Sequence, residues 1–152
     1  MSTASRLIQK SIKVSLRVEE AFRVWTEKID LWWPKHGHTR SGTTATTLVM
    51  EPWAGGRLFE RTDQGQEFAW GTVVVWEPPE RLVYTWFLGT DEAHPTEIEV
   101  RFAAEGLETT RIVVEQRILR LEPSHWDRRA PGFRRAWDEV LHAFQSTSEQ
   151  AH

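Results

Sequence analysis

The stretch that decides the fold is Gly71-Thr72-Val73-Val74-Val75-Trp76-Glu77-Pro78-Pro79-Glu80-Arg81-Leu82-Val83-Tyr84-Thr85-Trp86. Runs of β-branched and aromatic residues lie on either side of a Glu-Pro-Pro-Glu turn, and such side chains suit the pleated surface of a sheet. A proline cannot donate to a ladder, so Pro78-Pro79 ends one strand and sets the turn. Strands joined this tightly pair antiparallel, because a parallel return needs a long crossover.

Outward from this hairpin the same alternation of apolar run and turn repeats. Upstream, Thr47–Trp53 is followed by Ala54-Gly55-Gly56, where glycine permits positive φ, and Arg57–Thr62 by Asp63-Gln64-Gly65. Glu67–Trp76 then leads into the prolines. Downstream, Arg81–Leu88 ends near Gly89-Thr90-Asp91, Glu97–Ala103 at Glu105-Gly106, and Thr109–Leu119 closes the set. Alternation is clearest in Glu97–Phe102, with Ile98, Val100 and Phe102 on one face and Glu97, Glu99 and Arg101 on the other. Leu7–Leu16 reads as a further half-buried strand, Lys10 being the charged exception on its apolar side.

The flanks are helical. Val18, Phe22, Trp25, Ile29 and Trp32 or Trp33 recur at helical spacing, with Glu19 and Glu20 near the positive N-terminal end and Pro34 as the stop. Lys35–Thr47 is a loop rich in Gly, Ser, Thr and His. At the other end Phe133, Trp137, Val140, Leu141 and Phe144 form one apolar stripe, with Pro131-Gly132 as the expected helix start. Strand, helical region, about six strands and a long helix define an α+β fold rather than α/β. The 152 residues make one domain with its core at about 7–145 and flexible ends at 1–6 and 146–152.

Composition excludes several classes. A net charge of −3 argues against a nucleic-acid binder, and the absence of cysteine removes disulfides, thiolate metal sites and a cysteine nucleophile. Arg6, Lys10, Lys13 and Arg17 interrupt the N-terminal apolar residues, so neither export nor membrane insertion is signalled, and a cytoplasmic location is expected. Nine tryptophans stand out. Rings that bury so much surface either fill a wide core or line a cavity, and composition alone does not choose between these.

One amphipathic helix left to cover one concave sheet is the plan of the helix-grip superfamily. Val18-Glu19-Glu20-Ala21-Phe22-Arg23-Val24-Trp25, Glu51-Pro52-Trp53-Ala54-Gly55-Gly56-Arg57 and the hairpin Gly71–Trp86 resemble bacterial proteins related to the activator of Hsp90 ATPase, the AHSA1-like branch of the START-like (SRPBCC) group. The resemblance spans roughly Leu7 to Gln145. It implies a curved antiparallel sheet of about six to seven strands around a long C-terminal helix. It further implies a cavity between the two that binds a small hydrophobic or amphipathic molecule without a cofactor. Cyclase- or hydratase-type catalysis in that cavity, and a co-chaperone role with an Hsp90-type partner, are the alternatives it carries.

The expected cavity-lining residues are Trp33, Trp53, Phe59, Phe68, Trp70, Tyr84, Trp86, Gln116, Phe133 and Trp137. Glu60, Arg61, Thr85, Gln116 and Arg117 are the polar strand residues from which a ligand-orienting group is expected, with strand register left open. No catalytic triad spacing is legible, and Glu60, Glu67 and Glu115 are the carboxylates conceivable for proton transfer. His36-Gly37-His38, with His94 and His125 elsewhere, lacks the spacing of a metal site and reads as exposed loop histidines. Arg120, Arg128, Arg129, Arg134 and Arg135 read as a solvated face balanced by Asp127, Asp138 and Glu139. Trp126, read as exposed, makes a homodimer worth testing.

Overall fold

The computed structural model describes residues 7–88, 90–119 and 122–150; Arg6, Gly89 and Arg120, named above, and the chain ends 1–6 and 151–152 lie outside them. In chain order the elements are β1 (Leu7–Val14), α1 (Val18–Trp25), α2 (Ile29–Trp32), β2 (Thr46–Met50), β3 (Arg57–Thr62), β4 (Glu67–Glu77), β5 (Arg81–Trp86), β6 (Thr96–Gly106), β7 (Thr109–Ile118) and α3 (Pro123–Gln150). The strands form one seven-stranded sheet in the order β1-β7-β6-β5-β4-β3-β2. Every pairing is antiparallel, and the chain-first strand closes against the last. The α+β helix-grip architecture expected from element order is the one observed: a curved half-barrel sheet holding a long C-terminal helix.

Curvature has an identifiable source. Register shifts interrupt the ladders at Leu58/Phe59 and at Val73/Val75, and such bulges bend a strand and raise its twist. Between them sits Gly71, where a Cβ would lie 1.8 Å from the Thr85 carbonyl oxygen. Only glycine lets β4 and β5 approach this closely.

The helical region upstream divides. Thr26 donates both its N–H and its Oγ1–H to the Phe22 carbonyl, and Lys28 N–H reaches back to the Arg23 carbonyl, so α1 ends at Trp25 and the chain turns before α2. Phe22 and Trp25 then plug one end of the sheet's concave face against Phe102.

The long helix corrects the expected boundary at both ends. α3 begins at Pro123 and carries Pro131 inside it, and residues 146–150 continue it rather than forming a tail. Trp126 and Ala130 extend the Phe133/Trp137 stripe upstream at helical spacing, and their burial outweighs the one backbone donor that Pro131 lacks. Trp126 is therefore not exposed: at 1% accessibility it packs on Phe133, ring centroids 5.7 Å apart. Trp126 thus presents no exposed aromatic surface to a second copy of the chain. Lys10, the exception in β1, faces α3 and pairs with Asp138 at 2.9 Å.

Candidate ligand cavity

Beneath the first half of α3 the core does not close. A cavity of about 420 Å³ opens between α3, strands β5 and β7, and the segment following α2. Trp33, Trp86, Phe133 and Trp137 supply its aromatic surface, Gln116 its buried polar group, and Gly132 and Ala136 the small side of the helix. Gly37, His38, Thr39 and Arg129 form its mouth. Of the residues expected to line a cavity, Trp33, Trp86, Gln116, Phe133 and Trp137 meet here.

The others lie elsewhere. Trp70 and Tyr84 are on the same face but fully buried behind Trp86, with ring centroids 5.5 and 5.7 Å from it, so they support the wall without forming it. Phe68, half-buried, stands beside Glu60 on the next strand pair, beyond the cavity. Phe59 turns to the convex face, because Leu58, Glu60 and Thr62 take the inward positions of β3, and Arg57 and Arg61 stack over its ring. Trp53 follows the end of β2 and is 54% exposed.

Gln116 is held by a directed chain of hydrogen bonds. Trp137 Nε1–H, which can only donate, makes a hydrogen bond to Gln116 Oε1 at 2.8 Å, and this fixes the amide orientation. Gln116 Nε2 then donates to Thr96 Oγ1 at 3.0 Å, and Thr96 Oγ1 to the Trp86 carbonyl at 3.0 Å. One chain thus ties α3, β7, β6 and β5 together at the cavity floor, and it leaves Gln116 a second amide hydrogen.

The carboxylates considered for proton transfer do not reach this space. Glu60 is fully buried, yet it accepts from Arg40 N–H, Ser41 N–H, Ser41 Oγ, Thr46 Oγ1 and Trp70 Nε1. Burial alone would raise its pKa; the bonds from Ser41, Trp70, Thr46 and Arg40 more than offset this and hold it below the usual carboxylate value. Glu60 is a structural anion that anchors the loop between α2 and β2. Glu67 is lowered by hydrogen bonds from Arg61 and Arg57, and Glu115 pairs with Arg117 and Gln9. Arg61 and Arg117 are thereby engaged on the convex face, and Thr85 Oγ1 accepts from Thr72 N–H.

His38 was missed by sequence reasoning. It is not a free loop histidine: its side chain is 16% exposed and its Nε2 lies 2.6 Å from Glu139 Oε1 on α3. Its carbonyl accepts from Trp33 Nε1 at 2.8 Å, so the cavity wall and the loop are tied to one another. The partners stand far apart in sequence, and the only local signal was Gly37, whose φ of 83° turns the chain at this point. His36 is exposed, while His94 pairs with Asp91 at 2.8 Å and its ring lies 5.9 Å from that of His125. Among the described residues no group of three or more metal-ligating side chains forms, and no helix is long and apolar enough to cross a membrane.

Sheet, helix and cavity together define a helix-grip protein with an aromatic internal cavity. Residues 15–149 match the family described as Activator of Hsp90 ATPase homolog 1-like protein, and the chain belongs to that family. Among solved structures it is similar to CalC from Micromonospora echinospora, a self-sacrificing resistance protein, at 28% identity and a TM-score of 0.73 over 95% of each chain. It is also similar to the anthrahydroquino-gamma-pyrone synthase Txn09, solved in complex with SUM. There the identity is 31% and the TM-score 0.56, over 91% of this chain and 86% of the other. Protein MLL2253 from Mesorhizobium loti shares the fold at 18% identity and a TM-score of 0.72, over 97% and 99% of the two chains. No curated protein sequence matches the chain.

Proposed function

We propose that this protein binds a small hydrophobic or amphipathic aromatic molecule in the cavity beneath α3. The observation that carries the reading is the combination of an open space of about 420 Å³ with walls of Trp33, Trp86, Phe133 and Trp137 and a single oriented amide, Gln116. The volume lies within the range of small-molecule sites, which are mostly apolar with a few placed polar groups. Apolar burial supplies affinity at roughly 25 cal/mol per Å², and Gln116 supplies orientation. The likeness to Txn09, whose structure contains a bound compound, supports the same reading.

Intrinsic tryptophan fluorescence tests it. Titration with a panel of fused-ring aromatics should quench or shift emission, and the same compounds should raise the thermal midpoint, since a ligand selective for the folded state stabilises it. A broad panel with neither effect would sink the proposal.

A further inference from the structure

We infer that the cavity takes a hydroxylated aromatic whose acidic O–H gives its proton to His38 Nδ1, leaving the ligand bound as an oxyanion beside a histidine cation backed by Glu139. The inference rests on the cavity being a ligand site and specifies the ligand class. An ionised carboxylate only accepts, so the 2.6 Å contact places the proton of a neutral His38 on Nε2 and makes Nδ1 the acceptor. Nδ1 has no protein partner among the described residues and is not sealed from solvent. The imidazole at the cavity mouth therefore has one nitrogen committed to Glu139 and one available.

The surrounding charges favour an anion at this position. On α3, Asp138 is occupied by Lys10, while Arg129 lines the same mouth and makes no ion pair with a described residue. On the loop, Lys35 is held by Asp30 and the Thr46 carbonyl, and the Arg40 guanidinium by the Ala69 carbonyl. Glu60 is enclosed by its donors beneath the loop. Glu139 compensates the charge that His38 gains, and Arg129 remains to face the oxyanion. In the transfer the ligand O–H bond breaks, the Nδ1–H bond forms and the electron pair stays on the oxygen, so no co-reactant is needed. At the floor, the second amide hydrogen of Gln116 suits a carbonyl on the same ligand.

A naphthol aldehyde, 6-hydroxy-2-naphthaldehyde, and its methyl ether separate this inference from the binding proposal. With the naphthol at a pH about one unit below its own pKa, the bound probe should show the red-shifted naphtholate absorption, and the ether should bind about tenfold or more weakly. His38→Asn should remove the naphtholate band while tryptophan quenching by the probe persists, and Glu139→Gln should reduce the band. The comparison of naphthol with ether needs only the wild-type chain, so it stands even where a variant does not fold. Quenching by both probes with equal affinity and a neutral naphthol spectrum would overturn the inference and leave the binding proposal intact. Absence of quenching by either probe would overturn both.

Discussion

Toward the C-terminal end of α3, Trp25, Trp32 and Phe144 pack ring on ring with centroids 4.9–5.2 Å apart, and the groove is full. Toward its N-terminal end, Trp33, Trp86 and Trp137 are also buried, yet about 420 Å³ stays open among them. Trp137 stands between the two ends, stacked over Trp25 at 6.4 Å on one side and facing the cavity on the other. What differs is the companion residue that α3 presents: Leu141 and Phe144 where the groove is closed, Gly132 and Ala136 where it is open. Tryptophans line both ends of the groove, and the small residues Gly132 and Ala136 mark the part of it that remains empty.

The contrast is sharpest in what truncation does. Phe144→Ala empties the packed end and should cost about 3–5 kcal/mol in denaturant unfolding, because a fully buried ring loses its contacts and leaves a void. Next in size is Glu60→Ala, expected to cost about 2–3 kcal/mol, since Trp70, Thr46 and Ser41 lose their shared acceptor. Accompanying faster amide exchange across residues 39–46 would show that Glu60 anchors the loop.

Acid separates the faces of the sheet less drastically. On the convex face burial would raise the Glu99 pKa, but hydrogen bonds from Arg81, Arg117 and Arg101 hold it at about 2. Glu60 on the concave face is also lowered. A carboxylate depressed by folding stabilises fully above its unfolded value and loses that contribution as pH falls through its folded value. Unfolding free energy should therefore decline from about pH 4.5 toward pH 2. Glu99→Gln should flatten the lower part of that decline, and an unchanged profile would contradict the role given to the arginine cluster.

The smallest effect on stability falls at the open end. Ala136→Leu adds volume where there is space, so the unliganded protein should change by less than about 1 kcal/mol. The same substitution should abolish ligand-induced stabilisation. A cost as large as that of Phe144→Ala would mean that the cavity is not open.

Strands were legible where exposure alternates along the chain, as in β1, β2 and β7, and the β4–β5 hairpin because its prolines terminate pairing. Phe59 shows where this stops: an aromatic in a strand says nothing about which face it occupies until the ladder partners are known, and Leu58 and Glu60 took the inward positions. Trp126 fails for a different reason. Pro131-Gly132 has the local chemistry of a helix start, and only the tertiary burial of Trp126 and Ala130 carries the helix through it. The contact of His38 with Glu139 bridges a loop and a helix remote in sequence, so no local pattern beyond the turn at Gly37 records it.

Indole N–H resonances in a nitrogen–proton correlation spectrum test the central claim most directly, because each tryptophan reports its own part of the groove. On titration with a fused-ring aromatic, the signals of Trp33, Trp86 and Trp137 should move while those of Trp25, Trp32 and Trp53 stay in place. Shifts confined to Trp53, or uniform shifts across both ends of the groove, would contradict a ligand cavity at the open end.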